Sequence, residues 1–321
     1  MSFWKKLIGE NAEPDAPKPP PPSGYPQTYP PLGWNSPSRP EVFEPALTHY
    51  GRAFRLGDPQ FASDGARKVW DAARLHVAHH LLGLVVASPW NEHLVLRGSL
   101  LLKAWLKEEA REPGDIDWVF RPKQIEKSHP DAKKFFRDLI VAVRNDPGGE
   151  NARIVPNKIA MDDIWTYERA SGRRIVFPWL VDGQPGGEIQ MDVVFCEDLY
   201  EAPIQTPIAG PDGTSLSVWA ATREVSLAWK LQWLMTDQHP QGKDLYDAVL
   251  LAERTRLSRS LLCRMLRDTD WRIEENLQPD FSSRLNIDWE NFQKEYPWID
   301  GTEQEWKDRL TAALAPTFAK Q

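Results

Sequence analysis

The sequence predicts an α/β (α+β) core followed by a helical C-terminal domain, and three observations carry that assignment. A helical apolar pattern covers residues 64–87, a strand–turn–helix–strand pattern covers 93–120, and a two-strand hairpin pattern covers 173–195. Beyond about residue 221 the patterning is helical and rich in tryptophan. The expected organisation is an extended arm over residues 1–45, a core over 46–220 and a helical domain over 221–321.

Composition narrows the classes. With 321 residues the chain is long for one average domain and short for three, and 41% apolar with 26% charged residues is the balance of an ordinary soluble protein. No stretch approaches the roughly 20 apolar residues that a membrane span requires. The start, Met1-Ser2-Phe3-Trp4-Lys5-Lys6, lacks the pattern of a signal peptide. Neither integral membrane association nor secretion is expected. Cys196 and Cys263 are too few for a disulfide framework or a four-cysteine zinc site, and suit a reducing cytoplasm, the expected location. A formal charge of −7 argues against coating nucleic acid by bulk electrostatics, while leaving room for a local basic groove.

The elements follow in order. Twelve of the 28 prolines fall between Pro14 and Pro45, including Pro19-Pro20-Pro21-Pro22, which predicts an extended, polyproline-like arm over about residues 10–45. Such an arm either packs along the surface through Tyr25, Tyr29 and Trp34 or is read by a proline-binding partner. Phe3, Trp4, Leu7 and Ile8 ahead of it make one amphipathic turn, too short to hold a membrane alone. Over 64–87, Trp70, Ala73, Val77, Leu81 and Val85 recur at helical spacing until Ser88-Pro89 stops the pattern. His76, His79 and His80 lie on this helix. They read as solvated or core-edge histidines, although their spacing would also present two imidazoles to a metal.

The next segment changes character. His93 to Arg97 is a short strand, Gly98-Ser99 a turn, Leu100 to Glu109 a helix, and Pro113-Gly114 a break before the strand Asp115 to Phe120. Alternate side chains of a strand share a face, so Asp115 and Asp117 project together while Ile116 points into the core. Two adjacent carboxylates repel unless a cation sits between them, which is what an oxygen-seeking ion such as Mg²⁺ offers. The preceding turn adds a glycine that admits close approach of a phosphate, the Ser99 hydroxyl and a helix N-terminus. Asp268-Thr269-Asp270 has the same carboxylate spacing but sits in a helical, arginine-rich stretch, and reads as a helix end. Downstream, Val181 to Gly186 is a turn between strands 173–180 and 187–195. Ile189, Met191, Val193 and Phe195 form the apolar face of the second strand, which leaves Asp192 at its centre as a third candidate carboxylate and Glu188 as a rim residue.

These motifs resemble those of the AbiEii/AbiGii family, the nucleotidyltransferase toxins of type IV toxin–antitoxin and abortive-infection (phage-defence) systems. Leu96 to Leu102 followed by Arg111 to Asp117 is similar to the family's nucleotidyltransferase signature. Leu227-Ala228-Trp229-Lys230-Leu231 and Gly242-Lys243-Asp244-Leu245-Tyr246-Asp247 are similar to its later helical motifs. The turn reads Gly-Ser where many relatives have Gly-Gly, and Pro113 stands where Ser or Thr is usual. The resemblance implies a nucleotidyltransferase core with a mixed sheet. It implies that Gly98 and Ser99 meet nucleotide phosphate, and that Asp115, Asp117 and Asp192 bind Mg²⁺, in a two-metal site. Lys230 would contact the triphosphate and Asp244 would help position the nucleotide. The reaction expected is transfer of a nucleoside monophosphate from a nucleoside triphosphate to an acceptor hydroxyl, on RNA such as the 3′ end of tRNA, under the control of a cognate antitoxin.

The residues say less about the acceptor. Residues 121–160 carry nine Lys or Arg against five Asp or Glu, and 253–272 carry six against three, which fits either a nucleic-acid track or ordinary mixed-charge helix faces. Trp271, Trp289, Trp298 and Trp306 read as core packing before base stacking. Two other classes stand beside the RNA reading: a nucleotidyltransferase acting on a small molecule such as an antibiotic, or on a protein, and a catalytically silent binding scaffold.

Overall fold

The computed structural model describes residues 26–29, 39–50, 53–149, 152–166, 170–183, 185–269 and 277–319. Most of the proline-rich arm, Tyr25 and Trp34 included, lies outside the described residues, as do Asp270 and Trp271. Helix α1 (Asp64–Val86) is capped by the Ser63 side chain, which accepts from the Ala66 amide, and buries Trp70, Ala73, Val77, Leu81 and Val85 along one face. No helix among the described residues is long and apolar enough to cross a membrane.

Eight strands form one sheet: β3 (Leu94–Arg97), β4 (Asp115–Phe120), β5 (Arg153–Ile154), β6 (Ala160–Thr166), β7 (Ala170–Leu180), β8 (Gly187–Val194), β9 (Ile204–Ala209) and β10 (Ser215–Ala220). Their order is β5-β7-β8-β4-β3-β10-β9, with β6 also paired to β7. β4 runs parallel to β8 and β3 parallel to β10, while the other pairs are antiparallel, so the sheet is mixed. Among the described residues the short strands β1 (Glu41–Phe43) and β2 (Phe54–Leu56) pair with each other, and Val42 of β1 and the nearby Leu47 are fully buried.

Alternation along the strands divides the sheet into two faces. Leu94, Leu96, Ile116, Trp118, Phe120, Met191, Val193, Ile175 and Phe177 point to one side, where α1 and α3 (Pro130–Asn145) cover them in one continuous apolar core. The opposite face carries Val95, Val119 and Val194 into a second core built with the helices α2 (Ser99–Leu106), α4 (Arg223–Thr236), α5 (Gly242–Ala252), α6 (Arg259–Thr269), α7 (Trp289–Glu295) and α8 (Glu303–Phe318). Because α4 and α5 cover only part of this face, its polar residues are left beside an open cavity. Trp289 and Trp306 are core residues, as their spacing predicts, whereas Trp298 is 48% exposed beneath the Arg67 guanidinium. Helix α2 is shorter than the sequence predicts: it ends at Leu106, and Lys107–Glu109 follows as a 3₁₀ turn with Lys107 at a φ of 53°.

Candidate active site

The site begins with strand register. Arg97 pairs with Asp117, Asp117 with Asp192, and Asp192 with Arg174, so four strands place a row of charges on one face: cation, carboxylate, carboxylate, cation. Directly opposed residues have their Cβ atoms roughly 5 Å apart. Two carboxylates at that spacing repel, and the outer arginines offset part of that repulsion. Arg97 is buried, pairs with Glu197 at 2.8 Å and lies over the rings of Trp229 and Trp233. Arg174 grips Asp192 with two bonds of 2.8 Å, Nε to Oδ1 and Nη2 to Oδ2, and the Gln190 amide adds a third donor at 3.2 Å.

The turn after β3 brings Asp117 and Asp115 together. Gly98 has a φ of +79°, and a Cβ there would stand 2.0 Å from Asp117 Oδ2, so both backbone conformation and contact require glycine. The Ser99 hydroxyl is buried and donates to Asp115 Oδ1 at 2.7 Å. Burial disfavours the Asp115 carboxylate, yet the charges of Lys243 and Arg111, the Ser99 hydrogen bond and Lys230 together hold its pKa below the ordinary carboxylate value. Asp117 is driven the other way. Burial first, then the charges of Asp115 and Asp192, push it up to about 7 against the pull of Arg97 and Lys230.

Behind this pair lies a buried ionic cluster supplied by α4 and α5. Lys230 Nζ meets Asp244 Oδ1 at 2.7 Å and Asp247 Oδ2 at 3.0 Å. Burial lowers the lysine's pKa, but the two carboxylates outweigh it and raise it to about 12, so Lys230 stays charged at neutral pH. Arg111, from the loop before β4, adds a bidentate pair to Asp247 at 3.2 and 3.0 Å. The cluster thereby ties the helical region to the loop that positions Asp115. Asp244 Oδ2 is buried without a hydrogen-bond partner among the described residues. Such an atom is costly to leave unsatisfied, which suits a position that a ligand completes.

These groups line a cavity of about 500 Å³, within the range of small-molecule sites. Ser99, Asp115, Asp117, Asp192, Lys230, Lys243 and Asp244 all reach it, and Pro26, Thr28, Tyr29, Arg39 and Glu44 wall it from the N-terminal side. Among the described residues no group of three or more His, Cys, Asp or Glu is arranged to hold a metal ion by itself, and both oxygens of Asp192 accept from Arg174. The donor chemistry nonetheless fits a hard divalent cation. Asp115 and Asp117 are adjacent carboxylates, one held ionised and one raised to about 7 by its neighbours' charge, a repulsion that a cation relieves.

The structure therefore brings the sequence-predicted residues Gly98, Ser99, Asp115, Asp117, Asp192, Lys230 and Asp244 to one cavity. Glu188 stands exposed at the cavity's edge. Asp247, one turn on from Asp244 in the same motif, pairs with Arg111 and Lys230, because its helix face turns inward towards α4. The sequence pattern assigns no role to Arg174 or to Arg97. A usable signal existed for Arg174: it and Asp192 are symmetric about Gly183 in the hairpin, so an in-register pairing opposes them. The histidines of α1 lie away from the cavity, with His80 Nε2 2.9 Å from the Asp146 carbonyl oxygen.

A family model described as nucleotidyl transferase AbiEii toxin, type IV TA system, matches residues 80–311. Among solved structures the chain is similar to MenT4, a nucleotidyltransferase toxin from Mycobacterium tuberculosis H37Rv, at 19% identity and a TM-score of 0.46, over 80% of this chain and 87% of that one. No curated protein sequence matches the chain.

Proposed function

Because the chain belongs to the AbiEii nucleotidyltransferase toxin family, we propose that it moves a nucleoside monophosphate from a nucleoside triphosphate to a hydroxyl of RNA, the 3′ end of tRNA being the intended class, with Mg²⁺ bound at Asp115, Asp117 and Asp192. The observation that carries this reading is the Asp115–Asp117 pair beside the Gly98–Ser99 turn, inside a cavity large enough for one nucleotide. On this reading residues 46–220 form the catalytic core, and 221–321 the domain that supplies Lys230 and Asp244.

The protein's own groups divide the work. When bound, Mg²⁺ lowers the pKa of an attacking hydroxyl and stabilises charge on departing pyrophosphate. Gly98 lets backbone and carboxylate approach closely, and the first amides of α2 favour an anion at their open end. Ser99 fixes Asp115 through its hydroxyl, so its side chain orients a carboxylate as well as facing a phosphate. Lys230 and Asp244 hold each other, which leaves Asp244 Oδ2 for a ligand and keeps a positive charge at the cavity. Lys243 lines the cavity with no ion-pair partner among the described residues, and is the cation best placed to meet triphosphate without first breaking a salt bridge.

Such chemistry on tRNA in the cytoplasm would stop translation and would require a cognate antitoxin. The test incubates the full chain with each labelled nucleoside triphosphate, Mg²⁺ and total bacterial RNA. Label on RNA with wild type and none with an Asp115→Ala/Asp117→Ala variant is the expected result. Label on protein or on a small molecule would replace the RNA reading, and no label with any acceptor would favour a silent scaffold.

A further inference from the structure

Asp192 is the least free of the three candidate carboxylates. Arg174 faces it directly across the β7–β8 pair, and both side chains are nearly buried, at 11% and 10% exposure. The fork of the guanidinium takes one lone pair from each oxygen. A carboxylate has about four lone-pair sites, and with the Gln190 amide also donating to Oδ2 one of them, on Oδ1, is left for another ligand. Arg174 is itself held from the other side. Its Nη1 donates to the Tyr29 hydroxyl, and its guanidinium lies 4.9 Å from the centre of the Tyr29 ring. Tyr29 is 5% exposed, although it comes from a segment that precedes the family-matched residues by some fifty positions. The segment is anchored nearby, since the Thr28 amide donates to Asp162 Oδ2 at 2.7 Å. Glu44 also lines this side of the cavity and adds negative charge near Arg174.

We propose that Arg174 is a positioning residue for metal-dependent nucleotidyl transfer. It clamps Asp192 so that the remaining lone-pair site on Oδ1 is held in a fixed position relative to Asp117, and Tyr29 of the N-terminal segment locks that clamp. The proposal rests on the metal-dependent reading above. It differs from simple structural support because the pair sits in the same row as Asp117, where a shift of Asp192 changes the donor set offered to a cation. A guanidinium holds a carboxylate in a plane through two parallel bonds, which an ammonium does not. Arg174→Lys therefore keeps the charge and removes the fixed geometry.

The experiment measures Mn²⁺ binding to the full chain without nucleotide, by the loss of the free-ion electron paramagnetic resonance signal, for wild type, Asp117→Asn, Arg174→Lys and Tyr29→Phe. Pyrophosphate release with the four nucleoside triphosphates and total bacterial RNA gives kcat and KM beside it. Hydrogen-bond partners of ligating groups contribute roughly 10- to 100-fold in metal affinity or activity. Arg174→Lys should weaken Mn²⁺ binding and lower kcat by that order, with KM for the triphosphate changed by less than about threefold. Tyr29→Phe, which loses one hydrogen bond, should weaken Mn²⁺ binding about fivefold. Wild-type Mn²⁺ affinity in both variants would overturn the proposal. An effect of Arg174→Lys alone would remove Tyr29 from it, and if Arg174→Lys does not fold, Tyr29→Phe decides. Unchanged binding in Asp117→Asn would mean that the metal reading itself has failed.

Discussion

Asp117 is predicted to weaken the metal-free protein. Its pKa stands near 7 in the fold against an ordinary 3.8, through burial and the charges of Asp115 and Asp192. A gap of about three pH units, at about 1.4 kcal/mol each, sets an upper bound of about 4 kcal/mol on the cost of ionising it in place. Asp117→Asn keeps the shape and removes the charge. Relaxation and the amide's own desolvation reduce the observable gain to about 1–3 kcal/mol. The sign follows from proton binding. Below pH 3.8 both folded and unfolded states carry the proton, so the charge costs nothing. Between 3.8 and about 7 the folded state binds more protons than the unfolded one, so wild-type stability is lost as pH rises, and above 7 the full cost persists. Urea denaturation in EDTA, followed by tryptophan fluorescence, should show Asn and wild type matched near pH 4. The advantage of Asn should grow to a plateau above about pH 7. Added Mg²⁺ should reverse the order, since only wild type gains binding energy, and transfer activity should be lost in the variant. An Asn variant no more stable than wild type at about pH 8, or equally stabilised at every pH, would refute the electrostatic account of this pair.

Gly98→Ala should abolish transfer, because the new methyl would lie 2.0 Å from Asp117 Oδ2 at a backbone φ of +79°; turnover within about tenfold of wild type would show that the turn can yield. Asp247→Asn should lower stability by about 3–5 kcal/mol in denaturant, since it strips the buried Arg111 of its charge partner and leaves Lys230 with Asp244 alone. A loss below about 1 kcal/mol would mean that the cluster is not a structural tie.

Much of the site was legible along the chain because it depends on short-range rules. Alternation in Asp115–Phe120 sends two aspartates to one face and Ile116, Trp118 and Phe120 to the core, whatever the rest of the molecule does. Glycine at 98 declares a turn, and the apolar face of β8 leaves Asp192 on the other side. The helical, tryptophan-rich pattern of the C-terminal region is visible for the same reason, and Trp289 and Trp306 take their places in its core, while the capping box of Thr302 and Glu305 is seen in the fold.

What the chain did not disclose is which of these local pieces become neighbours. Asp247 reaches Arg111 across 136 residues, and Tyr29 reaches Arg174 across 145. A periodic pattern says which way a side chain faces in its own element, not what faces it. Partner choice depends on sheet order, on the parallel pairing of β4 with β8 and on the packing of α4 and α5 over one face. Sequence alone therefore determined the carriers of charge and the face on which each stands. Tertiary structure decided which charges are offset and which are left to a ligand, because Coulomb energy depends on distance and burial, and both are set only when the elements pack.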